Sequence, residues 1–126
     1  MITVTKRFSF EACHHLPYYK GACHNIHGHS YKLDVTVGGE VIEDKNNEKC
    51  GMIIDFKDLK EIVNRVVNHL DHSNLNEYFE NPTAENMVNE IGIIISHNLP
   101  NNIYLVSVKL WETDTSYAEY IPSNIM

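Results

Sequence analysis

Three histidines, His14, His27 and His29, combine a metal-binding residue type with a spacing that can aim it at one point. His27 and His29 belong to the run Cys23-His24-Asn25-Ile26-His27-Gly28-His29-Ser30-Tyr31. Residues two apart on a strand share a face, so this pair can grip one metal ion from one side. By the same parity His14 continues the even, apolar face of Phe8 and Phe10 and can supply a third nitrogen. Three imidazoles leave one zinc position open, which is the ligand set of a catalytic site; structural zinc usually has four protein ligands. Zinc is therefore the expected cofactor, and polarisation of a substrate oxygen the expected chemistry. His15 and His24 read as solvent-facing or supporting residues. His69 and His97 read as surface residues near helix C-termini, where a cation is favoured.

Three further features sit around this motif. Cys23 precedes His27 by four residues. It is either a fourth ligand, which would make the site structural, or a thiolate base or nucleophile whose pKa a nearby cation lowers. Cys13 and Cys50 read as small apolar fillers. Asp71-His72 is either a turn residue beside a surface imidazole or a proton relay in which the carboxylate sets the tautomer. Glu112 shares the parity of Tyr104, Val106, Val108 and Leu110. Either the strand has ended at Trp111 and Glu112 is solvated, or a carboxylate on an apolar face awaits a partner. A flat heterocycle with two adjacent N–H donors, such as a pterin or guanine edge, would match it.

The elements that must hold these residues follow from periodicity. Residues 2–10 alternate, with Ile2, Val4, Phe8 and Phe10 on one face. Residues 29–38 alternate, with Tyr31, Leu33, Val35 and Val37 opposite Ser30, Lys32, Asp34 and Thr36. Both read as half-buried antiparallel strands. Gly28 removes a side chain between the two histidines, so that backbone or ligand can approach. Gly38-Gly39 and the polar run 43–48 mark a turn or loop. Asp55 caps a helix through about His69, with the stripe Phe56, Leu59, Ile62, Val63, Val66, Val67 and Leu70. Thr83 caps a second helix, with Glu85 at its positive end and the stripe Met87, Val88, Ile91, Ile94, Ile95 and Leu99. Residues 103–112 form a third strand and 116–121 a short fourth. This order predicts an α+β fold, a four-stranded antiparallel sheet with two helices on one face. Its two open edges need cover, and edge-to-edge closure into an oligomeric barrel provides it.

With 126 residues the chain is expected to be one domain, 1–126. The net charge of -7 argues against nucleic acid as the main partner. No apolar run approaches the ~18 residues of a membrane span. The N-terminus alternates as a strand and lacks a signal peptide's apolar region, so a cytoplasmic protein with free thiols is expected.

Several separated segments together resemble 6-carboxy-tetrahydropterin synthases of the 6-pyruvoyl-tetrahydropterin synthase superfamily, which has the tunnelling fold. They are Phe10-Glu11-Ala12-Cys13-His14-His15-Leu16-Pro17, Cys23 to His29, and Gly51-Met52-Ile53-Ile54-Asp55-Phe56-Lys57-Asp58-Leu59-Lys60. Leu70-Asp71-His72-Ser73-Asn74-Leu75-Asn76, Pro82-Thr83-Ala84-Glu85-Asn86 and Glu112-Thr113 complete the set. The resemblance covers nearly the whole chain. It implies zinc on His14, His27 and His29, Cys23 as catalytic base, Asp71 and His72 as proton relay, and Glu112 as pterin anchor with Thr113 beside it. It also implies homo-oligomers, often hexamers of two stacked trimers, with active sites between subunits.

The three residues between Cys23 and His27 resemble the bacterial and archaeal carboxy-forming branch of queuosine biosynthesis. Animal pyruvoyl-forming enzymes have a longer insertion there, and a folate-related branch has glutamate in place of the cysteine. Trp111-Glu112-Thr113-Asp114 is closer to the animal type. The resemblance implies conversion of 7,8-dihydroneopterin triphosphate to 6-carboxytetrahydropterin, acetaldehyde and triphosphate. The alternative is 6-pyruvoyl-tetrahydropterin synthase. From other classes come a non-catalytic zinc-stabilised binding module and a zinc hydrolase; the latter lacks an obvious carboxylate base beside the histidines.

Overall fold

Period-two alternation in the first forty residues builds the strand pair that carries the histidines. In the computed structural model, which describes residues 1–123, β1 (Thr3–His14) and β2 (His27–Gly39) pair antiparallel. The register runs from Thr3 opposite Gly38 to His14 opposite His27. Both strands outrun their predicted ends. The two glycines lie inside β2 and not in a turn. Gly38 is needed there because the Tyr104 ring crosses it: a Cβ would lie 2.7 Å from Tyr104 Cζ.

α1 (Phe56–Leu70) starts at Asp55, whose Oδ1 accepts from the Lys57 amide at 2.9 Å. Leu59, Val63, Val67 and Leu70 are its buried face, whereas Phe56, expected in the stripe, is exposed. α2 (Ala84–Asn98) starts at Thr83, whose hydroxyl accepts from the Asn86 amide. It buries Met87, Val88, Ile91, Gly92 and Ile95, and leaves Ile94 exposed. β4 (Ile103–Thr113) and β5 (Ser116–Tyr120) complete the antiparallel part.

The expected four-stranded antiparallel sheet is in fact five-stranded and mixed. β3 (Ser73–Asn74) lies parallel to Ala12 and Cys13 on the outer edge of β1, giving the order β3-β1-β2-β4-β5. Two residues cannot display an alternation, so no pattern announced this strand. α1 packs on β1, and α2 on β4 and β5, so both helices cover one face. Phe8, Phe10, Tyr31, Leu33, Val35, Val108 and Leu110 project from the sheet into that core.

A second correction concerns β4. A bulge against β2 between Thr36 and Val37 inserts one residue near Val106. Ile103 and Leu105 are buried before it, and Val108 and Leu110 after it, while Tyr104 is exposed. One extra residue flips every side chain beyond it to the other face. Tyr104 and Val106 therefore do not share the face of Val108, Leu110 and Glu112.

The sheet face away from the helices is polar. Arg7 makes a bidentate contact with Asp34 (2.7 and 2.9 Å), and Trp111 Nε1 donates to the same carboxylate at 2.9 Å. The Arg7 hydrogen bond, more than any other contact, holds the Asp34 carboxyl below its ordinary pKa. Cys13 and Cys23 are half-buried free thiols; Cys50, expected as an apolar filler, is exposed. Among the described residues no helix is long and apolar enough to cross a membrane.

Candidate metal centre and adjoining groove

The three histidines meet at the end of the β1–β2 ladder. His14 and His27 are cross-strand partners, and His29 stands two residues further along β2 on the same face. One ligand nitrogen from each lies within 4.8 Å of the others, and among the described residues this is the group that could hold a metal ion. Cys23 is not part of it.

The tautomers can be read from the hydrogen bonds. His14 Nδ1 lies 2.8 Å from the Pro82 carbonyl and His27 Nδ1 2.7 Å from the Asn25 carbonyl. A carbonyl only accepts, so both Nδ1 atoms carry the proton and both Nε2 atoms present bare lone pairs. Those Nε2 atoms face each other at 3.1 Å. His29 Nε2, also buried, has no hydrogen-bond partner. Two facing lone pairs beside an unpartnered imidazole nitrogen are costly in a buried site, and a cation among them removes the cost. The donor set therefore fits zinc, with backbone carbonyls orienting two of the ligands.

Burial pushes the pKa of His14 and His29 down, opposed at His14 first by the hydrogen bond to the Pro82 carbonyl and then by Glu112, and at His29 by Glu112. Both rings are thus kept neutral, the form a metal requires. His14 is fully buried. Tyr31 lies beneath it, its Oη 3.3 Å from His14 Nδ1. Burial, followed by Glu112, raises the Tyr31 phenol far above its ordinary value and keeps it protonated.

Glu112 lies within β4, so the strand has not ended at Trp111. It falls at an irregularity in the β4–β5 ladder, between the Trp111–Tyr117 and Thr113–Ser116 pairs. Its side chain is 29% exposed, with Oε1 3.6 Å from His29 Nε2. On its other side it lines a groove of about 550 Å³ with Glu85, Val88 and Asn89 of α2 and residues 116–120. Glu112 thus joins the histidine cluster to the groove. Thr113 is exposed at the turn, its hydroxyl oriented toward the Thr115 amide.

Cys23 sits in a one-turn 3₁₀ helix, Ala22–His24, and its carbonyl accepts from the Leu16 amide at 2.8 Å, which closes the loop between β1 and β2 on itself. Asp71 and His72 do face each other, Oδ2 to Nδ1 at 3.1 Å. Adjacent residues achieve this because His72 has φ +58°, a left-handed conformation that turns its side chain back. Asp71 Oδ1 also accepts from the Glu11 amide, the main cause of its lowered pKa. His72 is largely exposed and opens onto a second groove, which Glu112 does not line, with Glu11, Cys13, Gly28, His29 and Ser30. Gly28 meets nothing in the chain closer than the Ala12 carbonyl, 3.6 Å from a notional Cβ, so its small size serves no internal packing.

The model of the family described as 6-pyruvoyl tetrahydropterin synthase matches residues 3–123. The chain belongs to this family. A 6-carboxy-5,6,7,8-tetrahydropterin synthase of Haemophilus influenzae is 33% identical over 95% of this chain and 99% of its own. A dihydroneopterin monophosphate aldolase of Pyrococcus furiosus is 40% identical over 84% of this chain and 85% of its own. The Caenorhabditis elegans 6-pyruvoyl tetrahydropterin synthase structure superposes with TM-score 0.82 at 28% identity, covering 97% and 96% of the two chains.

Pattern reasoning missed what orients the histidines in this member of the 6-pyruvoyl tetrahydropterin synthase family. The carbonyls of Asn25 and Pro82 act through backbone atoms, which carry no residue-type signal. Tyr31 was legible only as a core residue, because its hydroxyl contact depends on ring placement.

Proposed function

We propose that the chain is a zinc-dependent 6-carboxy-5,6,7,8-tetrahydropterin synthase of queuosine biosynthesis. It would convert 7,8-dihydroneopterin triphosphate and one water to 6-carboxytetrahydropterin, acetaldehyde and triphosphate. The observation that carries this reading is the junction of a three-histidine cluster with a carboxylate-bearing groove, through Glu112 at 3.6 Å from His29. A substrate with a hydroxylated side chain at one end and an N–H-rich ring at the other spans such a junction. Names of relatives from Haemophilus and Synechocystis support it.

Zinc held by His14, His27 and His29 supplies Lewis acidity toward the side-chain hydroxyls. Glu112 accepts the amino and ring N–H groups and fixes the ring's register. Cys23, as thiolate, removes a proton from the side chain. His72, held in one orientation by Asp71, carries protons during loss of triphosphate and retro-aldol cleavage. His72 lines a different groove from Glu112, and a neighbouring copy would bring the two roles together. Among the described residues, the outer edge of β1 beyond β3 and that of β5 have no strand partner and can pair between copies. A cytoplasmic homo-oligomer, a hexamer of two trimers, accommodates this.

Incubating the zinc-loaded protein with 7,8-dihydroneopterin triphosphate should release acetaldehyde equimolar with 6-carboxytetrahydropterin. A pyruvoyl product without acetaldehyde assigns the alternative synthase. The aldolase-named Pyrococcus relative favours a second reading, carbon–carbon cleavage of the monophosphate. Turnover of the monophosphate with its phosphate ester intact, and none of the triphosphate, would establish it.

Glu112→Gln provides a separate check. Gln keeps the shape but turns a donor toward a donor on the ring. Pterin binding should weaken by about 2–4 kcal/mol, from a lost charge-assisted bond and an unpaired polar group. Calorimetry with an unreactive pterin measures it, and an unchanged Kd removes Glu112 as the anchor.

A further inference from the structure

His14 is the last residue of β1, and the chain leaves the strand at His15. The β1–β2 ladder ends at the His14–His27 pair, so beyond His14 nothing in that ladder holds the chain. β3 supports the outer edge of β1 only at Ala12 and Cys13, then ends at Asn74. At the next step a side chain takes over. Asn76 Oδ1 accepts from the His15 amide at 2.9 Å, and Asn76 Nδ2 donates to the His15 carbonyl at 3.0 Å.

We propose that Asn76 is a positioning residue for the metal centre: its carboxamide stands in for a missing strand partner and fixes the backbone from which His14 projects. The N–H and C=O of one strand residue point to the same edge, and a carboxamide offers an acceptor and a donor side by side to match them. Asn76 is itself held. Its own amide donates to Asn74 Oδ1 at 3.0 Å, and the preceding Leu75 is fully buried. The same α1–α2 connection later supplies the Pro82 carbonyl that accepts a hydrogen bond from His14 Nδ1. One segment therefore sets both the position of His14, through Asn76, and its tautomer, through Pro82. Supporting groups of this kind tune ligand placement and hence metal affinity.

The inference rests on the zinc reading of the histidine cluster. The test is zinc affinity of the full chain, by competition with a chromophoric chelator, together with the visible absorption of the cobalt(II)-substituted protein. Asn76→Ala should bind zinc about 10- to 100-fold more weakly and shift the cobalt bands, with apo secondary structure retained by circular dichroism. Asn76→Asp keeps the acceptor for the His15 amide but sets an oxygen against the His15 carbonyl. It should fall toward Asn76→Ala, and it serves if the alanine protein does not fold. Asn98→Ala, which loses a bond to its own helix at Ile94, should leave both readouts unchanged. A purely structural stitch would lower Tm without moving affinity or spectrum, and that result overturns the proposal. If the unmodified chain takes up no zinc, the metal reading itself fails, which is distinct from equal zinc affinity in the unmodified chain and Asn76→Ala.

Discussion

His27→Ala should leave the protein folded, without stoichiometric zinc and without activity above background. His27 contributes one of three ligand nitrogens, and its Nε2 is the atom 3.1 Å from His14 Nε2. Two remaining imidazoles cannot enclose the ion. The loss in affinity should exceed the about 10- to 100-fold expected when only a supporting bond is removed. The folding cost is small, because the ring is half-buried and makes one internal hydrogen bond through Nδ1, to Asn25 two residues away. Such a bond contributes about 0.5–1.5 kcal/mol. Removal also relieves two facing lone pairs in the metal-free chain, which offsets part of that cost. Metal content by plasma mass spectrometry after dialysis, alongside circular dichroism and turnover, makes the comparison. Full zinc occupancy in a folded His27→Ala protein would take the metal away from this cluster.

Cys23→Ala should separate catalysis from metal binding. Cys23 lies outside the group whose nitrogens converge, so zinc should remain at one per chain. Loss of a general base typically removes about 10²- to 10⁴-fold of rate, and kcat should fall within that range while Kd for an unreactive pterin holds. The sign of the metal result decides between classes. Zinc loss in Cys23→Ala means a four-ligand structural site, whose chelation should unfold the chain. Retained zinc with unchanged kcat means that some other group is the base.

Side chains of local, repeating type were the legible part of this protein. Alternation across β1 and β2 put His14, His27 and His29 on one face, because strand parity is a two-residue rule that needs no knowledge of the partner. Asp55 and Thr83 marked both helix starts, because a cap acts on amides within its own first turn. Glu112 stood out because the parity shared with Val108 and Leu110 survives beyond the bulge, although Tyr104 and Val106 before it do not.

Tertiary structure decided the features built from backbone groups distant in sequence. β3 exists because two residues after α1 reach β1, some sixty positions away, and a two-residue strand has no periodicity to detect. The bulge near Val106 is a property of pairing with β2, not of β4 alone. The His14 tautomer depends on a carbonyl 68 residues away, and the support of its strand exit on a carboxamide 61 residues from His15. Carbonyl and amide groups are the same in every residue, so their partners are chosen by the path of the chain and leave no mark in the order of side chains.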